Sequence, residues 1–363
     1  MNMMIDAEPE TIQHSYAGIC TQFQVLRTEQ KMRHRDAARA LNLSEGEALA
    51  AHVNGGYAME VVRLGGQFSE LIAALKDVGP LMALTRNEAA VHERTGTYLE
   101  ASVSGHVGLV LGPDIDLRIF YSNWAHAFWV AERADSGVTR SLQFFDAHGD
   151  AVHKIFERGM TGKAAFAGVC QLFATPVQEP GIHVLPRAEK NPPAPDDEIN
   201  VTGFRAAWSN MTDTHQFFGL LRKFGLVRTQ ALRLAGTQFA ALTSNAAIRT
   251  VLEMASEQLL EIMIFVPNPG CIQIHTGPVN NIQLMGHWVN VLDPDFNLHL
   301  RQDLIAQSWI VRKPTEDGVV TSLELYDQHG DTIAYVFGKR KPGLPELEAW
   351  RELIATLPAG AAQ

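Results

Sequence analysis

Cysteine is scarce in this sequence, and its few copies are far apart. The 363 residues contain three cysteines, Cys20, Cys170 and Cys271. An odd and scattered set predicts no disulfide framework, and no C-x-x-C pair is present for a metal or redox site. The sequence also lacks G-x-G-x-x-G, a Walker A run and H-E-x-x-H, which excludes the common nucleotide-binding and zinc-protease motifs.

A positive net charge and long apolar runs are missing too. Lys and Arg number 30 against 40 Asp and Glu, for a formal net charge of −10, which argues against a general binder of nucleic-acid backbones. No run approaches the ~18 apolar residues of a membrane span. The N-terminal segment MNMMIDAEPETIQH has neither the basic nor the apolar part of a signal peptide. We therefore expect a cytoplasmic protein without membrane insertion and without nucleic acid as its main partner.

The two halves of the chain resemble each other. Residues 137–156 and 318–337 both contain a β-type run, a D-x-H-G-D turn and a second β-type run, so each predicts a hairpin. Three further pairs of segments match in the same order: residues 125–130 with 306–311, 82–91 with 240–249, and 105–113 with 270–278. Four collinear blocks predict an internal duplication.

A segment rich in proline and charge separates the two copies. Residues 186–200, PRAEKNPPAPDDEIN, predict a linker between an N-terminal repeat over residues 1–185 and a C-terminal repeat over residues 201–363. Each repeat opens with helical patterns and continues with alternating β-type runs. This order favours an α+β fold of two tandem repeats, each with helices packed on a large antiparallel sheet.

The segment MTDTHQFFGLLRKFG, residues 211–225, predicts an amphipathic helix with an unusual second face. Its buried stripe has the spacing i, i+3, i+4 and i+7 and consists of Phe217, Leu220, Leu221 and Phe224. At about 100° per residue, His215 lies opposite that stripe, near Phe218 and Arg222. Gly219 stands in the middle of the helix, where glycine costs roughly 0.5–1 kcal/mol relative to alanine.

This second face suits a broad, flat ligand. One histidine cannot hold a bare metal ion, but a single axial histidine is enough for haem iron. Alignment of SELIAALKDVG with HQFFGLLRKFG pairs His215 with Ser69, so folding of the repeat does not require the histidine. We also predict that Thr212, Asp213 or Thr214 caps this helix, with Gln216 placed to complete a capping box with Asp213. The residues alone leave open the alternative that His215 is an ordinary surface histidine.

Several segments resemble the HemS/ChuS/HmuS family of bacterial cytoplasmic haem-handling proteins, often called hemin-degrading factors. They are MTDTHQFFGLLRKFGLVRTQAL, GCIQIHTGPV, RKPTEDGVVTSLEL and ALTRNEAAVHERTGTY. The resemblance runs through both repeats and nearly the whole chain. It implies that one haem b, as ligand or substrate, lies in a cleft between the halves. The N-terminal repeat would form the distal side, and the C-terminal repeat would supply the axial histidine and the propionate-binding side.

The resemblance also implies the site residues. It assigns His215, in D-x-H-x-F-F, as the axial ligand of the iron, and Arg118, in DLRIF, as a distal arginine with a catalytic role. The other haem-binding residues that it implies are Arg228, Lys313, Phe337 and Arg340. Where relatives carry glutamine and tyrosine in the last hairpin, this chain has Tyr335 and Phe337. One hydroxyl expected near the haem is therefore missing.

Elementary chemistry agrees with these assignments. Haem requires one iron ligand, cations for two propionates and an apolar slot, and charge-assisted pairs with carboxylates are strong. The cations available are Arg228, Lys313 and Arg340. Strand alternation places Lys313 on the face of Trp309 and Val311. It also places Arg118 on the face of Phe120. The alternative for each cation is a solvated surface charge.

The two repeats differ at the site positions. Glu132 of the first repeat matches Lys313 of the second, and His299 of the second matches Arg118 of the first. The halves are not interchangeable, which predicts one composite site and one haem per chain.

The resemblance implies a protein of a bacterial haem uptake system that receives haem and degrades it to release iron. Its partners would be a haem ABC transporter and an electron donor. An alternative is a non-enzymatic carrier that delivers haem to a separate haem oxygenase, so the residues leave open whether the protein is an enzyme. A weaker alternative is haem-responsive DNA binding through residues 35–52, where a structural helix pair is the favoured interpretation.

Overall fold

The fold combines helices with antiparallel strands. The computed structural model describes residues 15–55, 59–105, 107–134, 137–341 and 343–360. The α-helices of these ranges are α1 (Tyr16–Thr28), α2 (His34–Ala40), α3 (Glu45–Ala50), α4 (Phe68–Ala73), α5 (Lys163–Phe173), α6 (Val201–Ser209), α7 (Gln216–Phe224), α8 (Arg228–Ala235), α9 (Ala247–Glu257) and α10 (Glu348–Ala355). None of them is long and apolar enough to cross a bilayer.

The β-strands of the described ranges are given next, in chain order. They are β1 (Met59–Leu64), β2 (Leu81–Arg86), β3 (Ala90–Gly96), β4 (Ala101–Ser104), β5 (Val107–Leu111), β6 (Asp116–Ile119), β7 (His126–Ala134), β8 (Gly137–Phe145), β9 (Ala151–Glu157), β10 (Ala240–Thr243), β11 (Ile262–Pro267), β12 (Cys271–Gly277), β13 (Ile282–Met285), β14 (Trp288–Leu292), β15 (Phe296–Arg301), β16 (Gln307–Thr315), β17 (Gly318–Tyr326) and β18 (Thr332–Gly338).

The described strands form two nine-stranded sheets that exchange strands between the sequence halves. Sheet A has the order β1-β7-β8-β9-β2-β3-β15-β14-β13, and sheet B has the order β10-β16-β17-β18-β11-β12-β6-β5-β4. Strand β15 of the second half pairs antiparallel with β3 of the first, and β6 of the first half pairs antiparallel with β12 of the second. The identical arrangement of the two sheets confirms the α+β fold and the tandem repeat.

The sheet order also tests the four matched blocks. Strands β7–β9 are equivalent to β16–β18, which confirms the blocks that contain the hairpins. The first aspartate of each D-x-H-G-D turn, Asp146 or Asp327, accepts hydrogen bonds from the backbone N–H groups two and four residues later. These acids therefore serve the turn, as Asx chemistry predicts.

The other two matches are wrong. Residues 82–91 belong to β2 and β3, whose counterparts are β11 and β12, whereas residues 240–249 begin with the edge strand β10. Residues 105–113 contain β5, whose counterpart is β14 and not β12. The match of residues 82–91 with 240–249 aligned Asn87 with Asn245, which begin turns that are not equivalent. The true pair is Asn87 and Asn268, and each caps its turn by accepting two backbone N–H groups.

The pairing of His215 with Ser69 fails for the same reason. Three helices precede the first strand of each repeat, so α2 corresponds to α7 and α4 to α9. Ser69 lies in α4, whereas the residue at the N-cap of α2, where His215 stands for α7, is Arg33. The first repeat therefore has an arginine, and not a histidine, at the N-cap of the equivalent helix.

The described chain divides into two compact units that do not follow the halves strictly. The first contains the residues up to Met82 together with 101–108 and 120–187, and the second contains 83–100, 109–119 and the residues from Ala188 on. Arg118 and His215 thus belong to the same compact unit, although they lie in different repeats. The repeat boundaries at 185 and 201 stay a prediction.

Both faces of sheet B carry helices. On one face, α9 and α10 pack over apolar side chains that include Ile264, Leu323 and Val336. On the opposite face, α6–α8 pack over Trp309 and Val311 at one end of the sheet. This second face bears the candidate site.

The helix pair predicted over residues 35–52 is present as α2 and α3. Ala37, Ala38, Ala48 and Leu49 are buried in the core of the first compact unit. The second helix begins with Glu45, which is itself buried. These contacts are those of a structural pair.

Candidate functional site

Helix α7 buries the predicted stripe and exposes the predicted second face. Phe217, Leu220 and Leu221 are buried against the other helices and sheet B. The helix ends at Gly225, whose φ of 65° is in the left-handed region favoured by glycine. On the other side, the His215 side chain is 92% exposed and Phe218 is 69% exposed. The structure thus confirms the two faces of this helix.

An aspartate orients the His215 ring. Asp213 Oδ1 lies 2.7 Å from the His215 backbone nitrogen and 2.7 Å from its Nδ1. The backbone N–H of His215 is the main cause that lowers the pKa of Asp213; slight burial opposes it, and the His215 ring and Arg340 add to the effect. An ionised carboxylate only accepts hydrogen bonds, so Nδ1 carries the hydrogen. The lone pair then resides on Nε2, which has no hydrogen-bond partner among the described residues.

The loop before α7 is fixed to its surroundings. The Gln216 side chain accepts a hydrogen bond from Thr212 N at 3.0 Å and donates one to Thr212 Oγ1 at 3.1 Å. The backbone N–H of Glu316, in the β16–β17 turn, donates to the carbonyl oxygen of Thr212 at 3.0 Å. The predicted capping box between Asp213 and Gln216 is therefore wrong, because Asp213 is engaged with His215 and Thr212 takes its place.

Arg228, the first residue of α8, is held on three sides. Its Nε and Nη2 donate to Glu324 Oε2 at 3.1 and 2.9 Å, and Nε also donates to Tyr326 Oη at 2.7 Å. Its guanidinium carbon lies 5.0 Å from the ring centroid of Phe217 and 4.6 Å from that of Tyr335. The side chain remains 25% exposed, whereas Glu324 is 0% exposed.

Lys313 shares the same carboxylate. Its Nζ lies 2.7 Å from Glu324 Oε1 and 4.7 Å from the Phe217 ring centroid, and its side chain is only 5% exposed. Burial alone would raise the pKa of Glu324, but Arg228 and Lys313 outweigh it and hold that pKa at about 2. Burial lowers the pKa of Lys313 to about 8, because it outweighs the attraction of Glu324 and is reinforced by Arg228. With Lys313 protonated, two cations face one carboxylate.

Sheet register places Arg118 and Phe337 on this same face. Directly paired residues of antiparallel strands project to one side. One such row crosses sheet B through Asp116, Ile274, Phe265, Tyr335, Glu324 and Trp309. Arg118 pairs with Ile272 one row to one side, and Phe337 pairs with Met263 one row to the other. The predicted face of Lys313, shared with Trp309 and Val311, is therefore confirmed. Phe120 lies beyond the end of β6, so the face that it was expected to share with Arg118 stays a prediction.

The other three candidate residues each contact a neighbouring side chain. Arg118 forms an ion pair with Asp116, and its Nη1 also donates to the carbonyl oxygen of Leu117 at 3.2 Å. Burial raises the pKa of Asp116 although Arg118 opposes this. Arg340 Nη2 lies 3.8 Å from Asp317 Oδ2. Phe337 packs edge-on against another ring of sheet B, Phe265, with centroids 5.2 Å apart.

Sequence reasoning missed Glu324, which binds two of the predicted cations. A signal was present, because Glu324 is the lone acid in the apolar run SLELY of β17. Its place in the alternation puts it on the face of Trp309 and Lys313 of the neighbouring strand. It also missed Asp213 as the partner of the His215 ring. The roles of the candidate residues toward a ligand stay predictions.

The fold and this face define a class: duplicated α+β proteins in which a helix of the second repeat presents a histidine beside a basic cluster. The chain belongs to the family of the haemin-degrading HemS/ChuX domain, whose sequence model matches residues 42–173 and again residues 225–357. The hemin transport protein HemS of Yersinia enterocolitica is 42% identical over 325 residues, which cover 89% of this chain and 92% of that protein.

Two solved structures are similar along almost the whole chain. Holo-PhuS, a heme-binding protein from Pseudomonas aeruginosa, superposes with a TM-score of 0.92 and 44% identity over 95% of this chain and 100% of that one. ChuS, the heme degrading enzyme of Escherichia coli O157:H7, superposes with a TM-score of 0.86 and 38% identity over 94% of this chain and 99% of that one. The resemblance expected from the sequence is thus confirmed.

Proposed function

We propose that this protein binds one haem b through His215 and serves bacterial haem utilisation in the cytoplasm. The observation that carries the proposal is the ring of His215, which is exposed, held by Asp213 at Nδ1 and open at Nε2. This is the arrangement that prepares an imidazole for a metal, because the outer partner fixes the tautomer. The relatives named as a hemin transport protein and a heme-binding protein support the same ligand.

The surroundings of His215 fit a flat macrocycle. A Cβ added to Gly219 would meet nothing within 4 Å, so packing inside the protein does not require a glycine there. The open space beside Gly219 leaves room for a broad ligand to approach the helix from outside. Phe218, exposed on the same helix, offers a ring for packing.

The basic residues have different roles toward the haem. Arg228 and Arg340 receive the haem propionates, and Phe337 with Phe265 lines an apolar part of the face. Lys313 acts through Glu324, because its Nζ is already bonded and its side chain is buried. Arg118 takes the distal role and donates hydrogen bonds toward the side opposite His215, with Asp116 holding its guanidinium.

We further propose that the bound haem is degraded with electrons from a separate donor, which releases iron. The description of ChuS as a heme degrading enzyme supports this. The second candidate function is a carrier that receives haem from an ABC transporter and delivers it to a separate haem oxygenase. The description of HemS as a hemin transport protein favours it.

One titration tests binding and a second measurement separates enzyme from carrier. Hemin added to the purified protein should give a histidine-ligated Soret band that saturates at one equivalent. With an electron donor and air, an enzyme loses that band and releases iron, whereas a carrier keeps it. No spectral change with hemin would overturn the haem proposal itself.

Arg118→Ala tests the distal assignment. We expect haem binding to persist, the spectrum of the sixth ligand to change, and any ring opening to slow. The matched control is His299→Ala, at the equivalent place in the other repeat, where the side chain bonds Asn290 instead. If Arg118→Ala and His299→Ala give the same spectra and rates, Arg118 has no distal role.

A further inference from the structure

The guanidinium of Arg228 has one edge that is not hydrogen-bonded to a described residue, because Glu324 occupies the other edge. Glu324 occupies the Nε–Nη2 edge of the guanidinium. The rings of Phe217 and Tyr335 lie over the guanidinium at 5.0 and 4.6 Å. Among the described residues, Nη1 has no hydrogen-bond partner, and the side chain is 25% exposed. Only this outer edge can meet a ligand.

We propose that Glu324 is a positioning residue that makes Arg228 a receptor for a single carboxylate of the ligand. The inference rests on the proposed function, in which that carboxylate is one haem propionate. A guanidinium suits this task because its fork binds one partner on each edge in a fixed plane. A lysine, with its rotating ammonium group, would hold no such plane.

The net charge of Arg228, Lys313 and Glu324 also predicts that this cluster binds one ligand carboxylate. Arg228 and Lys313 bring two positive charges to Glu324, and both are largely buried. A buried charge without a counter-ion is unfavourable, so the cluster favours one further anion. One ligand carboxylate neutralises the cluster, and a second would restore the imbalance with opposite sign. The second propionate must therefore be bound elsewhere.

Phe217 connects this cluster to the iron side of the site. Its ring touches both cations, and it stands two residues after His215 at the start of α7. Arg228, Lys313 and Glu324 therefore also define where the first turn of α7 lies. The distance between the carboxylate receptor and the histidine is fixed by packing, so a porphyrin is selected by both ends at once.

The test compares haem with its dimethyl ester, which has the same iron and ring but no carboxylates. We expect the wild-type protein to prefer haem by about 10- to 100-fold, the range of one or two charge-assisted hydrogen bonds. The variant is Lys313→Met with Glu324→Gln, which leaves the single positive charge of Arg228. Neutral replacement of a buried Lys–Glu pair is commonly tolerated. Because Glu324 also bonds Arg228, urea unfolding of the double variant is measured beside its porphyrin affinities to show that it is folded. Because Lys313 has a pKa lowered to about 8 by burial, Glu324→Gln alone would discharge it and blur the comparison.

We expect the double variant to lose most of the preference for haem over the ester, while the histidine-ligated spectrum of either porphyrin is unchanged. The matched control is Lys154→Met with Glu45→Gln, which removes a buried Lys–Glu ion pair of the first repeat, at the positions equivalent to Tyr335 and Arg228. That control should keep the full preference.

The outcomes separate the two proposals. If wild-type protein binds neither porphyrin, the haem function fails. If it binds both equally, haem binding stands and the carboxylate receptor fails. If the double variant keeps the wild-type preference, charge alone accounts for Arg228 and Glu324 does not position it.

Discussion

The two repeats carry opposite charge patterns at equivalent positions. In the second repeat these positions hold Arg228 at the start of α8, and Lys313, Glu324 and Tyr335 on the strands. In the first repeat the same positions hold Glu45 at the start of α3, and Glu132, Gln143 and Lys154 on the strands. The backbone frame was kept by the duplication, and the charges were not.

In the first repeat the cations near these positions have separate carboxylate partners, whereas in the second repeat two cations share one carboxylate. Lys154 pairs with Glu45, and both side chains are buried. Glu132 accepts from Arg27 at 2.7 Å and contacts His34 at 2.9 Å. Arg27 and Lys154 each pair with a different carboxylate, whereas Arg228 and Lys313 share Glu324. The comparison teaches that one frame can make a closed ion pair or an anion receptor, and that the choice depends on a few buried side chains.

The largest expected effect on hemin binding separates His215 from Arg33, which is the N-cap of the equivalent helix in the first repeat. His215→Ala removes the proposed iron ligand, so hemin affinity should fall by at least about 100-fold, equivalent to about 2.7 kcal/mol. Because the ring is exposed, the free energy of unfolding of the haem-free protein should change by no more than about 0.5 kcal/mol. Hemin titration and urea unfolding measure the two quantities. Arg33→Ala should alter neither, and a destabilised His215→Ala protein with an unchanged Soret band would mean that the histidine is structural.

The largest expected effect on stability distinguishes Glu324 from Gln143, the residue at the equivalent position of the first repeat. Glu324→Ala leaves two buried cations without their carboxylate, and loss of one partner of a buried ion pair costs roughly 3–5 kcal/mol. Gln143 is also buried but neutral, so Gln143→Ala should cost only about 1–3 kcal/mol. Urea unfolding of both variants at neutral pH gives the difference. Equal losses would show that the charge at Glu324 is irrelevant to folding.

A smaller effect is the pH dependence that Lys313 introduces. Its folded pKa of about 8 lies below the ordinary value of 10.5, so between these values the unfolded chain binds more protons. The contribution of Lys313 to the free energy of unfolding therefore rises with pH across this window, by up to about 3 kcal/mol. Unfolding should be measured at several pH values for wild type and Lys313→Met, which lacks the group. A constant difference between the two curves from pH 8 to 10.5 would contradict the lowered pKa.

The smallest expected effect concerns the open side of α7. Gly219→Leu should weaken hemin binding several-fold by obstruction, whereas the haem-free helix should gain up to about 1 kcal/mol from a better helix former. Gly168 of α5 in the first repeat is the control, since an added Cβ there also meets nothing within 4 Å. Gly168→Leu should leave hemin affinity unchanged. Equal hemin affinity of wild type and Gly219→Leu would remove the ligand explanation for Gly219.

Much of this fold follows from local patterns in the sequence. Helix periodicity predicts the two faces of α7, and strand alternation predicts the face of Lys313. The exchange of strands between sheets A and B was not predictable, because alternation describes one strand and not its neighbour. The partners of the cations were missed for a similar reason. Glu324 lies 96 residues from Arg228, and only the register of β16, β17 and β18 brings them together.

The strand exchange has a consequence for the history of the chain. Strand β6 covers the edge of β12, and β15 covers the edge of β3. A half released from its partner would expose a row of unpaired N–H and C=O groups, which invites edge-to-edge aggregation. It would also separate Arg118 from His215. Once the strands had crossed over, the ancestral single copy could not be recovered by cutting the gene in two, and selection could then change each repeat without preserving its independence.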